Sequence, residues 1–271
     1  MALRRTPRDP EGRMTLAEHF REFRRRLVVS AIAVAVASIA IGVLYFEEVY
    51  ALLSAPFNAY KDANPDSLIT LNLGEATSPL SLTISLSLFA GIIVSSPVWL
   101  YQIWAFIVPG LTRKEKRLSL AFIGAVVPLF LAGVFVAYSV LPTALMVLYG
   151  FTPEGTSNIQ DNAKYFAFVT RFLLVFGIAF LLPVFMVALN LLGLLASDFV
   201  FKHWRVATLL IMVFSAVATP TGDAFTMLLL GGPLLLLYLA AGGVMRLIEA
   251  RRAKNRPEWA TDLADDQASA L

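Results

Sequence analysis

The strongest constraint in this sequence is a run of twenty residues, Leu27–Phe46, without a single charge. At about 1.5 Å per residue, a helix of that length reaches about 30 Å, the thickness of a bilayer's hydrocarbon core. Lipid offers the backbone no hydrogen-bond partner, so a helix that satisfies itself is the structure such a run requires. Further apolar stretches cover roughly 79–101, 118–141, 165–195, 204–219 and 224–247. Six spans and an all-α integral membrane fold are therefore expected. Composition agrees, with 15% of residues charged against about a quarter in a soluble domain. The first run is followed by Glu47 and Glu48 with no small-residue cleavage site, so it reads as a retained span and not as a cleavable signal.

Orientation follows from the cations. Nineteen of the 22 Lys and Arg fall in the N-terminal 26 residues, in 113–117, at Lys202 and Arg205, and from Arg246 onward. The intervening segments hold only Lys61 and Lys164, and Arg171 lies inside the fourth span. Positive charge collects on the cytoplasmic side, which places both ends there and makes 47–79 and 143–163 polar excursions on the outside. The expected organisation is a cytoplasmic tail over 1–14, a membrane domain over 15–250 and a cytoplasmic tail over 251–271, disordered for want of apolar residues.

Local signals refine this picture. Thr15 with Glu18 forms a capping box, and Leu16, Phe20, Phe23 and Leu27 share one face, as in a membrane-surface helix that precedes the first span. Pro109 and Gly110 mark a break before a basic loop at Arg113–Arg117, Pro142 is expected to end the third span, and Gly231-Gly232-Pro233 interrupts the sixth. Pro97, Pro128, Pro183 and Pro233 predict bent helices and a cupped, concave bundle, although proline is also simply commoner in membrane helices. The fifth span, Trp204–Thr219, reaches only about 24 Å, so a thinned bilayer is expected beside it.

Several function classes are disfavoured. There is no cysteine, and no HExxH, GxSxG or Walker pattern occurs, so no metal, cofactor or catalytic residue is expected. The basic residues flank apolar runs instead of lining one face, which argues against nucleic acid. A secondary transporter of a small solute is the rival reading, but repeated halves and midplane ionisable groups are missing. Arg171 is the one clear charge within a span. It is a candidate contact for another helix, with Thr170, or else a side chain snorkelling outward. Asn190 is a candidate interhelical hydrogen-bond donor.

Taken together, several stretches resemble the TatC family. They are His19-Phe20-Arg21-Glu22-Phe23-Arg24-Arg25-Arg26-Leu27, Leu53-Ser54-Ala55-Pro56, and Ser96-Pro97-Val98-Trp99-Leu100-Tyr101-Gln102-Ile103-Trp104-Ala105-Phe106-Ile107-Val108-Pro109-Gly110-Leu111 running into Arg113-Lys114-Glu115-Lys116-Arg117. Others are Phe135-Val136-Ala137-Tyr138, Phe176-Gly177-Ile178-Ala179-Phe180 with Pro183, and Thr219-Pro220 with Asp223. The resemblance implies a prokaryotic cytoplasmic-membrane receptor for the twin-arginine signal peptides of folded cargo, driven by the protonmotive force. It implies assembly with the single-span proteins TatA and TatB and with further TatC copies. It also implies that Glu22, Arg24, Phe106 and Glu115 bind the signal, that Pro56 shapes the outer loops, and that Asp223 lies at the outer turn between spans five and six. Where many members carry a buried glutamate in the fourth span, this chain has Leu181. Local alternatives stand beside these roles: Glu22 is placed to pair with Arg26 at i,i+4, and Glu115, three after Thr112, is placed to cap the third span.

Overall fold

The helices form where the apolar runs predict them, but their ends obey local chemistry that the runs do not reveal. The computed structural model describes residues 16–65, 69–72, 78–107, 113–150, 158–191, 193–218 and 224–254, with backbone alone at 16, 69, 107, 113–123, 158–160 and 218. The helices are α1 (Leu16–Leu44), α2 (Phe46–Ala63), α3 (Ser78–Val94), α4 (Ser96–Ile107), α5 (Arg113–Gly150), α6 (Asn162–Ala179), α7 (Leu182–Leu191), α8 (Ser197–Lys202), α9 (Trp204–Ala218) and α10 (Ala224–Lys254). Two short strands, β1 (Ile69–Asn72) and β2 (Asn158–Asp161), pair in parallel with Ile69 opposite Asn158 and Asn72 opposite Asp161. The chain divides into two compact units, the first ending at Ala179 and the second beginning at Phe180.

Several boundaries correct the sequence expectation. The surface helix and first span are one continuous helix, α1, because nothing between Leu16 and Leu44 removes a backbone donor. The excursion over 47–79 carries α2, whose buried Leu53, Ser54, Pro56 and Phe57 face the first unit. The basic stretch Arg113–Arg117 is not a loop but the opening turns of α5, and Pro142 does not end that helix, which runs on to Gly150. Proline is tolerated inside a membrane helix where neighbouring groups take up the freed carbonyl. Gly231-Gly232-Pro233 likewise leaves α10 unbroken, and α10 continues to Lys254, past the expected start of the tail.

Other breaks have clear causes. The second span bends by 60° between α3 and α4, at buried Ser95 just before Ser96 and Pro97. Proline disfavours helical geometry at the residue before it and supplies no donor of its own. Across the bend the Trp99 indole N–H donates to Ile92 O at 2.9 Å. The fourth span is interrupted at Phe180–Leu181, before Pro183. It stops at Leu191 and not near Leu195 because Gly193, at φ 75°, turns the chain into a left-handed cap. The bonds Gly193 N–H to Asn190 O (2.9 Å) and Leu194 N–H to Leu189 O (2.9 Å) are those of a Schellman motif.

In the first unit α1 lies along α3 and α4, α5 packs on α6, and α2 covers α3 and α5. Lipid tails are as apolar as leucine, so close packing has to supply the helix contacts. Small residues provide it: a Cβ on Gly91 would meet the Ser38 backbone at 2.7 and 2.9 Å, and one on Gly177 would meet Phe130 at 2.8 Å. In the second unit α10 packs against α7, α8 and α9. Among the described residues, four helical segments are long and apolar enough to cross a membrane, and α3 with α4 makes a fifth. The 15-residue α9 is shorter than a straight crossing requires.

Candidate functional site

The first unit gathers the signal-binding candidates at the N-terminal end of α1 and the C-terminal end of α4. On α1, His19, Glu22 and Arg26 are half-buried and face α4, whereas Phe20 and Leu27 are exposed. Apolar Phe20 and Leu27 mark the side turned away from the protein, as on a helix that lies against lipid, and the side packed on α4 carries His19, Glu22 and Arg26.

Phe106, the penultimate residue of α4, stacks on His19 with ring centroids 4.5 Å apart and meets Phe23 at 5.2 Å. Beside this aromatic cluster, Glu22 Oε1 accepts from Arg26 Nε at 3.1 Å and from Arg26 Nη2 at 2.5 Å. Arg26 Nη1 also donates to Gln102 Oε1 on α4 at 3.3 Å. Glu22 Oε2 is enclosed and has no hydrogen-bond partner among the described residues. Arg24 is exposed on the next face of α1.

Glu115 is the third residue of α5. Its backbone thus lies in a first helical turn, where the helix dipole and free N–H groups favour a carboxylate, and α4 and α5 are in contact. Its side chain, Thr112, Thr15, and the turn 219–223 with Asp223 lie outside the described residues.

The structure shows a local consequence of Pro56. Pro56 sits inside α2 and has no N–H, so the carbonyl four residues earlier, Leu52 O, loses its helical donor. Tyr138 Oη on α5 donates to Leu52 O at 2.9 Å, and Tyr165 Oη on α6 donates to the next carbonyl, Leu53 O, at 2.9 Å. Arg171 is exposed on α6, and the Thr170 hydroxyl is turned back onto its own helix, to Phe166 O at 2.7 Å. Leu181 is buried at the α6–α7 break. Asn190 is the interhelical donor that its type suggested: Nδ2 donates to Glu249 Oε1 on α10 at 2.5 Å and to Leu195 O at 2.8 Å.

Sequence reasoning missed Gln102, His19, the two tyrosines and Glu249. His19 and Phe23 were legible as an i,i+4 pair on the face of Glu22 and Arg26. The others depend on contacts between elements far apart in the chain.

Comparison with known proteins gives a consistent answer. The family model described as Sec-independent protein translocase protein (TatC) matches residues 18–233. The Sec-independent protein translocase protein TatC of Xylanimonas cellulosilytica is 43% identical over 244 residues, covering 90% of this chain and 87% of that protein. Its counterpart in Frankia casuarinae is 38% identical, covering 99% and 76%. A solved structure described as the twin arginine translocase receptor TatC superposes with a TM-score of 0.72 at 32% identity, covering 84% of this chain and 98% of that one. The chain therefore belongs to the TatC family, the multi-pass, non-enzymatic membrane subunits at the core of the Sec-independent protein translocase.

Proposed function

We propose that this chain is the receptor for twin-arginine signal peptides, and that Glu22 and Glu115 accept the peptide's guanidinium groups beside Phe106 and Arg24. The observation that carries this reading is the Glu22 carboxylate, set next to the His19, Phe23 and Phe106 rings with one oxygen unpartnered among the described residues. Guanidinium and carboxylate form forked, charge-assisted hydrogen bonds, and an aromatic cluster gives the peptide's apolar part a surface to lie on. Glu115 is an acid among Arg113, Lys114, Lys116 and Arg117, so it offsets a field that otherwise repels a dibasic ligand. The small-solute transporter finds no support in the family relationship.

The rest of the functional reading follows from the family. The receptor lies in the cytoplasmic membrane of a prokaryote with six spans and both termini inside. It works with TatA, TatB and further TatC copies, and the protonmotive force drives transport of folded cargo. Pro56 and Asp223 shape the outer face.

The test is the affinity of a labelled twin-arginine peptide for wild type, Glu22→Gln, Glu115→Gln and Glu115→Ala in detergent. Charge-assisted bonds contribute about 1.5–3 kcal/mol each, so each variant is expected to lose about ten- to a hundredfold in affinity at normal protein yield. If Glu115 only caps α5, its Gln variant binds like wild type, because Gln caps equally well.

A further inference from the structure

Glu22 already holds a guanidinium, supplied by its own helix. Two donors of Arg26 converge on one oxygen, Oε1, and a third is anchored on Gln102 of another helix. Exposed i,i+4 pairs are loose and contribute little. This one is different, because both side chains are only 23% exposed and the cation is fixed from two elements. Oε2, meanwhile, is enclosed without a donor among the described residues. Oε2 is closed off from an incoming donor until the carboxylate turns, and turning it breaks the Arg26 contacts on Oε1.

We propose that Arg26 is an internal occupant of the ligand's acceptor: its guanidinium covers Glu22 in the unliganded receptor and exchanges with that of the signal peptide. This rests on the reading of Glu22 as a signal-binding carboxylate. Binding then trades one guanidinium–carboxylate contact for another, so the net affinity is a small difference between similar terms. A receptor that must pass its cargo on needs such reversibility. The apparent dissociation constant exceeds the intrinsic one by the inverse of the fraction of receptor with Glu22 uncovered, and removing the occupant removes that factor for any peptide that uses Glu22.

The experiment measures fluorescence anisotropy of labelled signal peptides on the full chain in detergent at fixed ionic strength. The variants are Arg26→Gln, Arg26→Lys, Gln102→Leu and Glu22→Gln. Arg25→Gln serves as a charge-matched control, since Arg25 is exposed on the same helix. Arg26→Gln is expected to bind about tenfold tighter, as for an acceptor covered about nine-tenths of the time. Arg26→Lys and Gln102→Leu are expected to bind about two- to fourfold tighter, because each loosens the clasp without abolishing it, and Arg25→Gln is expected to change binding less than twofold. Arg26→Gln binding no tighter than Arg25→Gln, or weaker than wild type, overturns the proposal. Should Arg26→Gln fail to accumulate, unchanged affinity in both Arg26→Lys and Gln102→Leu overturns it instead. Glu22→Gln separates the two levels. Wild-type binding in that variant removes Glu22 from the site altogether, whereas lost binding there with no tightening in Arg26→Gln refutes the internal occupant alone.

Discussion

Tyr138 donates its hydroxyl to Leu52 O at 2.9 Å, the carbonyl that Pro56 deprives of its helical partner. Tyr165 donates to the neighbouring Leu53 O from α6, so two carbonyls just before Pro56 tether α2 to two other helices. Tyr165→Phe leaves a carbonyl without that donor beside a buried ring, at a cost of about 1–3 kcal/mol. Tyr138→Phe is expected to be milder, because its bond is exposed whereas that of Tyr165 is buried. Thermal unfolding in detergent checks both, and equal stability of Tyr165→Phe and wild type refutes the tether.

The α1–α3 crossing makes a second prediction. A methyl group at Gly91 meets the Ser38 backbone at 2.7 and 2.9 Å, and backbone yields less readily than a side-chain tip. Gly91→Ala is therefore expected to destabilise by about 1–3 kcal/mol. Gly124→Ala on α5, where nothing among the described residues lies within 4 Å, is expected to gain up to about 1 kcal/mol of helix propensity. Similar melting temperatures for the two variants contradict the close approach.

The second unit offers a third. Glu249 accepts from Asn190 Nδ2, from the Ser197 backbone N–H at 2.9 Å and from the Ser197 hydroxyl, and so fastens the α10 end to the start of α8 and the end of α7. Glu249→Ala strips these donors of their acceptor at about 1–3 kcal/mol. Amide exchange at Ser197 is expected to speed up at least tenfold, and unchanged protection there rules out the clasp.

A fourth concerns Arg171, for which we propose a polar or acidic contact on a TatA or TatB helix. Its exposure on α6 leaves the guanidinium reachable, and with leucine at 181 the fourth span carries no acid there. Arg171→Leu is expected to reduce co-purification of the partners severalfold at normal yield. Intact complexes in that variant leave snorkelling as its role.

How much of this was legible depended on which solvent a residue faces. Apolar length located the helices, since 20 uncharged residues in lipid admit little else. Periodicity gave the apolar side of Phe20 and Leu27, which turns outward as on a membrane-surface helix, but not that the His19, Glu22 and Arg26 side packs on α4. Proline misled at Pro142 and Pro233, where helices continue, yet Pro97 does mark a bend, and the end at Gly193 went unread because an isolated glycine shows its left-handed φ only in the fold. Glu22 and Phe106 are candidates from the family pattern, and the fold brings both to the α1–α4 contact. Arg26 had been paired with Glu22 from spacing alone, but Gln102, 76 residues away along the chain, has no local signature.

The β1–β2 ladder sets a limit on how this unit can move. Each strand is soon followed by a long helix, β1 by α3 and β2 directly by α6, and four residue pairs lock the strands in one register. Sliding β1 lengthwise past β2 by even one residue would shift every pairing by about 3.3 Å and turn each side chain to the wrong face. The start of α6, which follows β2 without a gap, is therefore held in register with β1, and the freedom left to α6 there is angular, growing with distance from the ladder.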